Sequence, residues 1–296
     1  MAEEKTGQGE LFPDNPDKGA QNRLALFEDC AAAIDQLFQQ ALETTGPTAF
    51  DEFLARMCRF SNLSAYNAML VTVQRPGALA VGSRNQWQSI ARTVKADALP
   101  IAVLQPFGPV RFVFEYSDTE GYDPPEAQLS ALFAEGSIPP DQYDRTKSAA
   151  KKYGVLVEET DKYGPLLAGT AAGINMLPTR LNASQREGPR YHVRLNSKHD
   201  LPTRYSTLAH ELGHVYCGHL GADCKGRWPD RSALVHSVKE LEAEAVAWLV
   251  CQRTGVSARS REYLSRLARP DDIMAVSAYA IFEAANRIES RTSPHT

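Results

Sequence analysis

The run His210-Glu211-Leu212-Gly213-His214 constrains this chain more than any other five residues. A helix stacks residues i and i+4 on one face. His210 and His214 therefore present two imidazoles to one point only if the stretch is helical. Around them Leu208, Leu212 and Val215 keep helical spacing, with Ser206 and Thr207 as candidate caps. The spacing predicts a helix with its apolar stripe in a core and both histidines facing a cleft. Two histidines flanking a Glu in this way form the H-E-x-x-H pattern of zinc hydrolases. The imidazoles hold the metal, one position stays open for water, and Glu211 serves as general base toward that water. The plain alternative is a buried helix with two hydrogen-bonded histidines and an unrelated Glu.

A third ligand has two candidates. His219 follows His214 too closely for the longer three-histidine pattern. Five residues along a helix also rotate away from the ligand face. His219 is therefore expected at the cleft rim or helix end, or bonded to the outer side of a ligand. The segment Lys239 to Val250 reads as a mostly buried helix with three acids in its first turns. Glu240 and Glu244 share a face. Glu240 is the better third ligand, and Glu244 is placed to bond the outer nitrogen of a ligating histidine. Glu242 points elsewhere and is expected in solvent. The alternative is an ordinary acidic helix start favoured by the helix dipole.

Size and charge set the wider frame. A chain of 296 residues, 43% hydrophobic, supports one large or two ordinary domains. A net charge of −4 excludes wholesale coating of nucleic acid, so any such site is local. The cysteines at 30, 58, 217, 224 and 251 form no C-x-x-C pair, which predicts reduced thiols in a cytoplasm rather than a disulfide scaffold or zinc finger. Residues 1–19 are polar, lack a signal-peptide core and are expected to be disordered. No apolar run is long enough to cross a membrane.

Elsewhere the pattern predicts helices over Asn22–Thr44, Phe50–Phe60, Leu63–Val73, Ser83–Val94, Thr146–Tyr153, Arg259–Ala268 and Asp271–Ile288. Strands are expected at Ile101–Pro106, Val110–Tyr116, Gly154–Glu158 and Tyr191–Leu195. The Pro- and Gly-rich stretch 121–140 reads as a connection. The fold class is α+β, with a tail at 1–19, a first domain at 20–125, a linker at 126–145 and a second domain at 146–296.

The H-E-x-x-H run followed by Glu240-x-x-Ala243-x-x-Val246-Ala247 resembles the metallopeptidase domains of the ImmA/IrrE type, over roughly residues 190–255. The resemblance implies a gluzincin-like site, with His210, His214 and Glu240 as ligands of Zn2+ (or another divalent ion such as Mn2+) and Glu211 as base. In zinc peptidases of this shape an edge strand holds extended substrate, a role open to Tyr191–Leu195. Residues 60–121, with Tyr66-Asn67, Gln74-Arg75-Pro76, Asn85-Gln86-Trp87 and Thr119-Glu120-Gly121, are similar to the N-terminal domain of ArdC-like antirestriction proteins. That family joins a single-stranded-DNA-binding domain to a metallopeptidase-like domain, in the order found here. It usually has a Gly-Glu-Lys-Gly turn where this chain has Lys95-Ala96-Asp97-Ala98-Leu99-Pro100.

The resemblance implies an antirestriction protein of a mobile element such as a conjugative plasmid. It would bind incoming single strands in the cytoplasm, act on an unknown protein substrate and need no membrane. Two alternatives are a regulatory peptidase that cuts a repressor and a DNA-binding protein with a structural or vestigial metal site. From the residues themselves, single-strand binding needs basic groups and aromatic platforms. Candidates are Tyr66, Asn67, Arg75, Arg84, Trp87, Arg92, Lys95 and Arg111, in a segment whose charges nearly balance. Phe112, Phe114 and Tyr116 are expected mainly in a core, while Trp87 fits either role. Residues 179–206 form a second candidate basic strip.

Overall fold

The computed structural model describes residues 48–60, 63–104, 110–123, 141–164, 167–174, 189–256 and 269–289, with scattered positions between 25 and 40. The tail at 1–19, the helix expected at 259–268 and the body of the connection before residue 141 lie outside the described residues. Of the helix expected over 22–44, the described positions are helical.

Helices α1 (Thr48–Cys58) and α2 (Ala65–Gln74) begin the continuous part. The Ser64 hydroxyl caps α2 by accepting from the Asn67 N–H at 3.2 Å. Next come β1 (Val81–Gly82), α3 (Arg84–Ser89), β2 (Arg92–Val94), β3 (Ile101–Val103), β4 (Arg111–Glu115) and β5 (Thr119–Gly121). The helix expected over Ser83–Val94 is thus corrected. It ends at Ser89, Ala91 turns the corner at φ 59°, and Arg92–Val94 pairs with β5 instead. Strand β4 is central in an antiparallel sheet of order β1-β4-β3. Its Val113, with Ile101 and Val103, faces the main core, whereas Phe112 and Phe114 line the other face. Phe114 is covered by a small cluster of Ala80, Trp87 and Val94, but Phe112 is not: it is 55% exposed, a correction to its expected place in a core.

The C-terminal part runs α4 (Gln142–Lys151), β6 (Val155–Thr160), β7 (Gly169–Gly173), β8 (Tyr191–Asn196), α5 (Leu201–Tyr216), α6 (His236–Arg253), α7 (Pro270–Ala275) and α8 (Ala278–Glu289). The expected final helix is two, broken at Val276, whose extended backbone (ψ 138°) ends α7. The sheet order is β6-β8-β7, with β8 parallel to β6 and antiparallel to β7. This corrects the expectation that Tyr191–Leu195 is an edge. Alternation showed that one face is buried, but it carries no information on which backbone edges are paired.

One hydrophobic core links both parts. Phe53 meets Phe282 at 5.6 Å between ring centroids. The Arg253 guanidinium donates to the carbonyls of Met57, Phe60 and Leu63 and pairs with Glu289 at 2.8 Å. The described residues form an α+β fold.

Candidate metal centre

Helix α5 begins earlier than its sequence signals suggest. Asp200 caps it, accepting from the Thr203 N–H at 3.0 Å, and Pro202 occupies its first turn. Ser206 and Thr207 lie inside the helix, and the Thr207 hydroxyl bonds back to the Thr203 carbonyl at 2.8 Å. The glycine within the motif has a packing reason. A Cβ at Gly213 would stand 3.1 Å from the Cα of Ala243, so any larger residue would push α5 and α6 apart by a few tenths of an ångström.

That approach brings the acids of α6 against the histidines of α5. His210 Nε2 and His214 Nε2 are 3.2 Å apart. Glu240 reaches His214 Nε2 at 3.3 Å with Oε1 and His210 Nε2 at 3.6 Å with Oε2. Ligands bound at about 2.0–2.1 Å in tetrahedral geometry stand roughly 3.4 Å apart. The two imidazole nitrogens have nearly that spacing, and the Glu240 carboxylate reaches each of them with one oxygen, so these residues fit a divalent metal. His214, 3.3 Å from Oε1, holds the Glu240 carboxyl down to about 2 against the opposing effect of burial, with smaller contributions from His210 and His236. Glu240 therefore presents an ionised oxygen across the ordinary pH range.

The outer nitrogens are also met. His210 Nδ1 lies 3.2 Å from Glu244 Oε2, and His214 Nδ1 lies 3.0 Å from His219 Nδ1. Glu211, largely buried, lines the same cleft of about 480 Å³, together with Gly169, Thr170 and Ala171 of β7 and with His236 and Lys239 of α6.

Two expectations about this site are corrected. Glu242 is not in solvent but is 0% exposed. It is gripped by Arg231 (Nη1–Oε2 2.7 Å, Nη2–Oε1 2.6 Å), by the Ser277 N–H at 2.8 Å and by His219 Nε2 at 2.8 Å. Burial pushes this carboxyl up, but the bonds from His219 and Arg231 outweigh it and leave it below the usual range. Of the places expected for His219 only the rim is ruled out: it is 3% exposed, just past the end of α5 and against the outer nitrogen of His214, and burial lowers its imidazole below the usual value against the pull of Glu242. A legible signal existed for His219: Gly218 stands where a helix-ending turn would fold the next residue back.

The residues selected for nucleic acid are placed less uniformly. Trp87 is 0% exposed and donates to the Phe114 carbonyl at 2.9 Å, so its ring serves the small core. Asn67 is buried and ties α2 to β3, donating to the Leu104 carbonyl at 2.9 Å and accepting from its N–H at 2.8 Å. Arg92 is buried over the Tyr116 ring, with Nε bonded to Thr119 Oγ1 at 2.7 Å. Arg75 pairs with Asp118, and Lys95 donates to the Ser117 carbonyl at 2.8 Å. Tyr66 is half-buried against Tyr279. Arg84 is exposed with its guanidinium 4.6 Å from the Phe114 ring centroid, and Arg111 is half-buried beside Phe112. Phe112 and Leu104 (49% exposed) were not selected, although both stand open on this outer face.

Known proteins add the following. Residues 170–248 match the peptidase family model described as the IrrE N-terminal-like domain. A solved structure, the metal-free crystal structure of the antirestriction ArdC protein from plasmid R388, is similar at 16% identity and a TM-score of 0.34, covering 76% of this chain and 84% of that one. No curated protein matches this chain. The matched residues span β7, β8, α5 and the ligand-bearing start of α6, so the likeness to the IrrE N-terminal-like peptidase domain covers the elements that carry the candidate metal centre.

Proposed function

We propose that this protein is a zinc-dependent peptidase whose N-terminal part binds single-stranded DNA, and that it acts against restriction as the product of a mobile element. The observation that carries the enzymatic half is the convergence of His210, His214 and Glu240 at metal-ligand spacing, with Glu211 in the same cleft. Zinc is the proposed ion, and another divalent ion such as Mn2+ is the alternative. Zinc bound there would lower the pKa of a water to about 7 and polarise the scissile carbonyl. Glu211 takes the proton of the attacking water and returns it to the leaving amine. Glu244 orients His210 through Nδ1. Among the described residues β7 is an edge of its sheet, and its outer side would offer main-chain donors and acceptors to a substrate that enters extended, so the substrate class is an unstructured protein segment.

The decisive experiment compares wild type with Glu211→Gln for bound zinc and for hydrolysis of an unfolded protein. The variant retains one zinc per chain and loses about 10²–10⁴ in rate. Equal rates remove Glu211 from the mechanism.

The nucleic-acid half rests on the resemblance of residues 60–121 to ArdC-like proteins and on the outer face of β4. There Phe112 lies exposed, two residues from Phe114, whose ring carries the Arg84 guanidinium 4.6 Å from its centroid. An exposed aromatic ring on a face that also carries an arginine suits sequence-tolerant stacking of bases. The domain division at residues 20–125 and 146–296 and a cytoplasmic site of action belong to this same proposal. No described helix is long and apolar enough to cross a membrane. Binding of a labelled single-stranded oligonucleotide, against duplex and at two salt concentrations, tests it. No binding at low salt leaves a regulatory peptidase as the better account, and protection of transferred DNA by Glu211→Gln separates DNA coating from proteolysis.

A further inference from the structure

Helix α5 ends in a turn that decides where His219 goes. Gly218 takes a φ of +79°. Its N–H bonds the Val215 carbonyl at 3.1 Å, and the His219 N–H bonds the His214 carbonyl at 3.0 Å. These are the paired backbone bonds of a Schellman motif, which folds the residue after the glycine onto the helix position three before the cap. That contact is usually apolar. Here it joins His219 to His214, with ring centroids 5.2 Å apart and the two Nδ1 atoms at 3.0 Å. Behind His219 stand Glu242 at 2.8 Å and, on Glu242, the two-pronged Arg231. Arg231 is itself tied to the turn, donating to the Cys217 carbonyl at 3.1 Å.

The polarity of this chain of bonds is set from its arginine end. Arg231 has only donors, and a carboxylate has only acceptors. Glu242 therefore accepts from His219, whose proton lies on Nε2. An imidazole with its proton there has an acceptor at Nδ1, so His214 Nδ1 must donate to it. The lone pair of His214 is then on Nε2, facing His210 Nε2 and Glu240. We propose that Arg231, Glu242 and His219 form a buried positioning relay that holds His214 in the one tautomer able to ligate a metal through Nε2. The inference rests on the metal-site reading above. His219 is a positioning residue and no ligand, because both its nitrogens are engaged away from the convergence point. Cys217, His219 and Glu242 also cluster, but the Arg231 guanidinium covers that carboxylate and excludes a second cation.

The first test is ring-nitrogen NMR of the histidines in the metal-free, full-length wild type. The proton of His214 is expected on Nδ1; a proton on Nε2 overturns the relay whether or not zinc binds. The second test is competition for zinc with a chromophoric chelator. His219→Phe has no acceptor and lowers zinc affinity about 10–100-fold. His219→Gln can accept from His214 and donate to Glu242, and it recovers affinity to within a few-fold. Wild-type affinity in His219→Phe overturns the proposal. Failure of the metal-site reading looks different: wild type and His210→Ala then both fail to compete for zinc, while the nitrogen spectrum still decides the relay.

Discussion

The α5–α6 pair and the β1-β4-β3 sheet are built on opposite plans. In α5–α6 the polar groups are buried and interlocked. His210 meets Glu244, His214 meets His219, and Glu242 meets Arg231. On the outer face of the sheet Phe114 is covered by Trp87 of α3 and Val94 of β2, and cations such as Arg84 and Lys95 stay at the rim on weak intrachain partners. The first plan preorganises a site before any ligand arrives, at the cost of desolvating charges that must all be paired. The second leaves a surface whose groups can exchange a neighbour for a ligand. A metal centre needs the first plan, and a sequence-tolerant strand binder tolerates the second.

The largest expected effect on stability breaks the comparison from the sheet side. Trp87→Ala empties a fully buried site and costs about 3–5 kcal/mol in urea unfolding, with zinc affinity of the folded protein unchanged. A parallel loss of zinc would show that the two regions are not independent. His210→Ala comes next. Structural zinc sites bind with about 10–16 kcal/mol shared among their ligands, so removal of one lowers zinc affinity at least ~100-fold by chelator competition. Undiminished affinity would mean that α5–α6 is not the metal centre.

Gly218→Ala strains the turn that holds the relay. A Cβ there would stand 2.2 Å from the Pro229 carbonyl oxygen, and the left-handed backbone adds its own penalty, for a loss of about 2 kcal/mol or more in thermal unfolding. A neutral result would place the turn outside the stabilising core of α5–α6.

Asp223, in the loop between these helices, sharpens the electrostatic contrast. Burial pushes its carboxyl up, but two bonds of 2.7 Å from Arg227 hold it below the usual range. A depressed folded pKa stabilises above the unfolded value of about 3.9 and loses that contribution as pH falls through the folded pKa. Asp223→Asn is therefore less stable at neutral pH by about 1–3 kcal/mol, and the gap to wild type closes below about pH 4. A gap that persists in acid assigns the loss to packing instead. The smallest effect on stability belongs to Phe112→Ala, within about 0.5 kcal/mol. Its single-strand affinity nevertheless drops by about 1–3 kcal/mol if the ring stacks a base. Unchanged affinity removes β4 from the DNA reading.

What could be read beforehand follows the same divide. A helix turns sequence spacing into angle, so His210, Glu211 and His214 on one element, and Glu240 with Glu244 on another, were legible from their intervals. A strand reports only which side is buried. Alternation could not tell that β8 is internal or that Phe114 is covered while Phe112 is not.

The sequence by itself determined, through the helical period, which residues share a face: His210, Glu211 and His214 on one helix, Glu240 and Glu244 on another. Only the tertiary structure decided the fate of Glu242 and His219. An isolated acid reads as solvated because burying its charge is costly. That cost is met here by Arg231, 11 residues before it, and by the Ser277 backbone, 35 residues after it. The sequence left His219 between the cleft rim, the helix end and the outer side of a ligand, and the turn at Gly218 decides it by bringing the ring back to His214. Spacing along one helix is a local property; a charge's partners and a helix's end are settled by what packs against them.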